Sequence, residues 1–127
     1  MRILEIHIEV SDLEASLAFY RELLPSVKEV RWSDNSAVAL VLPDGTAFGI
    51  WKEGKTGLYD GRGARHLHFA LQIKPSEYDD YRERLQSLGV EVTEHTWDDG
   101  QRSLYFFDRD GHQGEFMTKD WLGRSSE

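Results

Sequence analysis

Residues 2–24, RILEIHIEVSDLEASLAFYRELL, change hydrophobic period once, and that change sets the organisation of the chain. Leu4, Ile6, Ile8 and Val10 alternate with Glu5, His7 and Glu9, which predicts a half-buried strand with one apolar and one polar face. Ser11 with Glu14 forms a capping-box signature, and Leu13, Leu17, Tyr20 and Leu24 then recur at helical spacing until Pro25. A helix of about three turns is expected there. Residues 27–32, 37–42 and 47–52 have strand composition and are separated by Asp34-Asn35 and Pro43-Asp44-Gly45, so they read as a meander.

The same order returns after residues 53–64, where Gly54, Gly57, Gly61 and Gly63 with few apolar neighbours mark a flexible connector. Leu67, Phe69, Leu71 and Ile73 alternate with His66, His68, Ala70 and Gln72, predicting a second strand of the first kind. Pro75 suits a first helical turn, Tyr78, Tyr81, Leu85 and Leu88 form an apolar stripe, and Gly89 supplies the stop. Residues 90–95, 103–107 and 112–118 give three further strands, the last two joined through Asp110-Gly111 as Asp44-Gly45 joins the earlier pair. The chain therefore reads as an α+β duplication of two βαβββ modules, about residues 1–53 and 65–120, with a linker over 54–64. Neither half would bury its sheet alone, so one domain over residues 1–127 is expected, its mixed sheet curving around a cavity.

At 127 residues the chain is long enough to bury roughly two-thirds of its unfolded surface without covalent staples. It has no cysteine, which excludes disulfides, thiolate metal sites and a cysteine nucleophile, and fits a reducing, cytoplasmic setting. Any metal must bind through His, carboxylate or water. The opening residues MRILEIHIEV carry no long apolar core or cleavage site, and no run approaches the roughly 18 apolar residues of a membrane span. A net charge of −8 argues against nucleic acid or an anionic membrane as partner. A small-molecule substrate is expected instead.

Because the apolar faces of both opening strands must pack on the helices, Glu5, His7, His66 and His68 share the polar faces. Equivalent strands of a pseudo-symmetric duplication meet at the symmetry axis, where a metal or substrate would sit. The plain alternative is a solvated sheet face. Trp51 falls in the same register as Gly49 and is expected to line the cavity with His66. There is no Gly-rich phosphate loop, nucleophile elbow or His-Glu-x-x-His helix.

Three segments, DLEASLAFYRELL (12–24), HFALQIKPSEYDDYRERLQSLGVEV (68–92) and SLYFFDRDGHQGEF (103–116), resemble the vicinal oxygen chelate superfamily. That group includes glyoxalases, bleomycin-resistance and fosfomycin-resistance proteins and extradiol dioxygenases, and the last segment is especially similar to fosfomycin-resistance thiol transferases and hydrolases. The resemblance implies a glyoxalase-like fold and one divalent cation per site, held by the opening strand of each half and a glutamate of the last strand. Carried over by position, these ligands are Glu5, His68 and Glu115, although relatives usually have histidine or glutamine at the position of Glu5. The fourth ligand position of true glyoxalases falls on Gly49, and His7 takes a substrate-facing place. Ser103 and Tyr105 resemble phosphonate-binding residues, and Arg124 an anion-binding arginine. His112 is expected to stabilise its turn, and neither it nor His95 is an expected ligand.

One imidazole and two carboxylates suit Mn, Fe, Zn or Ni with positions open to a bidentate substrate. The expected function is thus a metal-dependent lyase, isomerase or thiol transferase in which the cation polarises substrate oxygens, with a thiol co-substrate in the transferase version. His7 or Glu5, whichever is not a ligand, would act as general base. The alternative is a metal-free pocket that sequesters an antibiotic, as bleomycin-resistance relatives do. A ring-cleaving dioxygenase would need His7 rather than Glu5 as ligand. Relatives of this length usually form homodimers, and a homodimer is expected.

Overall fold

The structure, a computed structural model, describes residues 3–54 and 68–119. The chain divides into two compact units, residues 1–65 and 66–127. In the first unit the alternation read from the sequence becomes β1 (Glu5–Val10), with Ile8 and Val10 buried and Glu5 and His7 exposed on the other face. Helix α1 (Leu13–Leu23) follows. Its N-cap is Asp12 rather than Ser11, because Asp12 is the residue still extended before the helix and its Oδ1 accepts from Ala15 N at 3.0 Å. Glu14, freed from the expected box, bonds Arg31 at 2.8 Å instead. Leu24 is extended, as the residue before Pro25 prefers, and ends the helix.

Strands β2 (Lys28–Arg31), β3 (Ala37–Val41) and β4 (Ala47–Lys52) form the antiparallel meander, and β1 joins β4 in parallel, giving the order β1-β4-β3-β2. The second unit repeats this plan with β5 (His68–Gln72), a single 3₁₀ turn begun by Pro75, α2 (Tyr78–Ser87), β6 (Thr93–Thr96), β7 (Arg102–Phe107) and β8 (Gln113–Met117). Its order is β5-β8-β7-β6, with β5 parallel to β8. The observed architecture is therefore α+β, with two four-stranded mixed sheets, one per module. Among the described residues no helix is long and apolar enough to cross a membrane.

Each sheet buries one face under its helix. In the first unit Leu17, Tyr20 and Leu23 of α1 and Val38, Leu40, Phe48 and Ile50 of the sheet are excluded from water, with the Tyr20 and Phe48 rings 4.8 Å apart. Full burial of side chains of this size stabilises by about 1.5–3 kcal/mol each. In the second unit Tyr81 stacks on Phe116 at 4.4 Å, and Tyr78 lies under the Arg102 guanidinium at 3.7 Å while its hydroxyl donates to Glu94 Oε1 at 2.9 Å. Burial, and then the Glu94 carboxylate, push the Tyr78 phenol up to about 12, so it remains a neutral donor tying α2 to β6.

The turn before β8 is built on a buried carboxylate. Asp108 Oδ1 accepts from the backbone N–H groups of Asp110 and His112, both at 2.9 Å, and Oδ2 lies 2.8 Å from His112 Nδ1. Gly111 takes the left-handed conformation that the turn requires, φ 85°. The hydrogen bond to Asp108, outweighing burial, raises the His112 pKa above its ordinary value. A raised folded pKa means stability that is fully present below about pH 6.5 and lost as pH rises through the folded pKa. His112→Ala should therefore cost about 1.5 kcal/mol near pH 5.5 and distinctly less near pH 9, as read from paired urea denaturations. An equal loss at both pH values would remove this ion pair from the account.

Candidate functional site

Strand register gives the two units a common frame. Glu5 pairs with Ala47 and His68 with Gln113, and each partner lies two residues after the glycine of an Asp-Gly turn. One step along on the same face, His7 pairs with Gly49 and Ala70 with Glu115. Glu5 is thus the counterpart of His68, and Gly49 the counterpart of Glu115.

In the first unit His7 Nε2 lies 2.9 Å from Glu5 Oε2, and Trp51 Nε1 donates to His7 Nδ1 at 2.8 Å. An indole N–H only donates, so Nδ1 is the acceptor and the ring proton sits on Nε2, where it is given to Glu5. The ring lies on Gly49, where an added Cβ would overlap Nδ1. Trp51 in turn packs against Trp32 at 5.1 Å. Trp51 therefore holds His7 by hydrogen bond and ring edge. Both imidazole nitrogens of His7 are thus engaged within the first unit.

In the second unit His68 Nε2 lies 3.0 Å from Glu115 Oε1, and His68 Nδ1 lies 3.1 Å from Gln113 Oε1. Glu115 is 5% exposed and its Oε2 is buried with no hydrogen-bond partner. Leaving a buried carboxylate oxygen unsatisfied is costly. A divalent cation would satisfy it, and a neutral imidazole with a buried carboxylate is a donor set such cations accept. The residues present in this unit therefore fit a metal. Among the described residues no group of three or more His, Cys, Asp and Glu side chains clusters closely enough to hold one, so each unit shows a pair.

Tyr105 stands opposite Glu115. Burial pushes its phenol up and the Glu115 charge adds to this, with the Ser103 hydroxyl pulling the other way, so Tyr105 is a neutral donor. It lines a cavity of about 330 Å³ with Glu91, Thr93, Phe107 and Gln113. Ser103 is fully buried, and its hydroxyl accepts from Trp97 Nε1 at 3.0 Å. His66 and Arg124 lie outside the described residues. Sequence reading did not single out Gln113, which stands two residues before Glu115 and shares its face, nor Gly49 as the seat of the His7 ring. The i, i+2 spacing from Glu115 was the available signal for Gln113.

Residues 2–116 match the family model described as Glyoxalase/Bleomycin resistance protein/Dioxygenase superfamily. The chain is 28% identical to the glutathione transferase FosA of Serratia marcescens over 117 residues, covering 92% of this chain and 80% of the relative. It is 30% identical to the metallothiol transferase FosB of Staphylococcus saprophyticus over 118 residues, covering 86% of this chain and 71% of the relative. A mutant of the Listeria monocytogenes fosfomycin resistance protein FosX, crystallised with Mn(II) and 1S,2S-dihydroxypropylphosphonic acid, superposes with a TM-score of 0.75. Its identity is 27%, with 94% of this chain and 91% of that chain covered.

The seat of His7 is open to a direct test. Gly49→Ala should expel the ring and break its bonds to Trp51 and Glu5, costing about 1 kcal/mol, whereas the same change in a His7→Ala background should cost nothing. Denaturant midpoints of the four proteins in this cycle give the coupling. Additive effects would mean that the ring does not rest on Gly49.

Proposed function

The chain belongs to the Glyoxalase/Bleomycin resistance protein/Dioxygenase superfamily, and from that premise we propose that it is a divalent-metal-dependent enzyme acting on a small molecule bound through oxygen atoms. The observation that carries this reading is the His68–Glu115 pair, in which a buried carboxylate oxygen lacks a partner beside an imidazole nitrogen. Glu5, which strand register equates with His68, is the proposed third donor. A cation bound by these residues would supply a Lewis acid that draws electron density from substrate oxygens. The metal named with the FosX relative makes Mn²⁺ the first candidate, ahead of Fe, Zn and Ni.

The chain's own residues supply the rest of the proposed chemistry. His7, held by Trp51, would offer its Nε2–H to an oxygen that gains negative charge once Glu5 has turned to the cation. Tyr105 offers a second neutral donor beside Glu115. The relatives named as glutathione and metallothiol transferases make thiol addition to fosfomycin the first reaction to assay, with lyase and isomerase chemistry as the wider class. His66 and Arg124 remain proposed contacts to substrate.

A second reading, a metal-free protein that sequesters a small antibiotic, is favoured by one observation: each imidazole already has a nitrogen within hydrogen-bond distance of a carboxylate of its own unit. Metal titration separates the two. Protein purified without a histidine tag should bind close to one Mn²⁺ per chain by elemental analysis and calorimetry, and His68→Ala and Glu115→Ala should each weaken binding by at least about a hundredfold. Absence of binding in the wild type, with retained binding of a bleomycin-class ligand, would favour the sequestering pocket.

A further inference from the structure

His68 and Gln113 stand directly opposite each other in the parallel pair β5 and β8, and the distance from His68 Nδ1 to Gln113 Oε1 is 3.1 Å. Amide and carboxylate oxygens only accept, so the Gln113 contact calls for a proton on Nδ1, and the Glu115 contact, with Oε1 3.0 Å from Nε2, calls for one on Nε2. A neutral ring has one proton and turns the lone pair of its other nitrogen toward an acceptor. A cation taking the place of the proton between Nε2 and Glu115 leaves the Nδ1 proton on Gln113, removes that conflict and also meets the buried, unpartnered Oε2 of Glu115. We propose that Gln113 is a positioning residue that holds His68 in the tautomer whose Nε2 is free to bind a divalent cation. The proposal rests on the metal-dependent reading above and adds the residue that prepares the ligand.

The competing arrangement shows why the amide matters. Without an acceptor at Nδ1, the neutral ring gains most by moving its proton to Nε2 and donating it to Glu115 Oε1. That closed pair would have to be broken, and its proton moved, before a cation could bind. Gln113 stabilises the open form, so less is lost when the proton leaves Nε2. Its amide adds no charge beside Glu115, whereas a carboxylate in its place would accept the same proton and add one. Gln113 is half-buried on a strand whose neighbour Gly114 carries the tight contact with Phe106, so the side chain can be changed without disturbing the core.

The test compares wild type, Gln113→Met, which keeps length without the acceptor, and Gln113→Glu, which keeps the acceptor, all as the full chain. Long-range nitrogen–proton spectra of histidine-labelled, metal-free protein report the His68 tautomer, and competition with a chromophoric chelator reports Zn²⁺ affinity. The expected result is a larger Nδ1–H share in wild type and Q113E than in Q113M, and Zn²⁺ affinity ten- to a hundredfold weaker in Q113M only, a range typical of such supporting residues. An unchanged tautomer in Q113M, with affinity within about twofold of wild type, overturns the proposal. If wild type binds no Zn²⁺ or Mn²⁺, the metal reading fails, and the metal-free spectra still decide whether Gln113 sets the tautomer. Thermal melts of the three proteins identify a variant that has merely lost its fold, and Gln113→Leu then replaces Q113M.

Discussion

The parallel pairing of the first strand of each module with its last is the constraint on which the remaining features depend. Parallel neighbours cannot be joined by a tight turn, so helix and meander must lie between them in sequence. The pairing brings residues more than forty positions apart into fixed register, as in His68 with Gln113 and Ala70 with Glu115. Period-two alternation then decides which of these side chains share a face. The polar residues of the opening strand consequently meet those of the closing strand, while the apolar residues of both remain under the helix.

The two units use this geometry with opposite choices of side chain. In the second unit Ala70 leaves room for the Glu115 carboxylate, and in the first Gly49 leaves room for the His7 imidazole. Where the partner strand contributes only a hydrogen or a methyl group, the facing side chain can lie flat on the sheet. Both units thereby carry one imidazole nitrogen about 3 Å from one carboxylate oxygen, 2.9 Å in the first and 3.0 Å in the second. The remaining imidazole nitrogen accepts from Trp51 in one case and lies 3.1 Å from the Gln113 amide oxygen in the other. The pairs are alike in composition but differ at the second nitrogen, which faces an indole donor in one and an amide acceptor in the other.

Support for the site comes from groups that never touch it. Asp108 gathers two backbone N–H groups and the His112 ring, fixing the turn from which β8 emerges one residue later. Gln113 and Glu115 inherit their positions from that turn. On the other face Phe106 and Phe116 stack at 5.8 Å and Gly114 admits the Phe106 ring, so the strand carrying Glu115 is pinned by packing on its apolar side. A buried carboxylate with an unpartnered oxygen persists because this framework is satisfied elsewhere.

The alternation of residues 4–10, the helical stripes through Tyr20 and Tyr81, and the two Asp-Gly turns were legible because each depends on neighbours a few residues apart. Those local patterns, taken in order, gave the duplicated α+β plan and placed Glu5, His7 and His68 on polar strand faces, whereas Glu115 was singled out by the family resemblance of the closing hairpin. The helix cap moved from Ser11 to Asp12 because a one-residue difference in where extended backbone ends leaves no trace in composition. The proton on His7, the engagement of Ser103 by Trp97 and the bond from Gln113 to His68 were decided only by tertiary structure. Sequence determined which residues could face one another, since alternation is local. Which atom meets which, and so which nitrogen holds a proton, depends on register between distant strands and on the space a glycine or alanine leaves, and only the folded chain sets both.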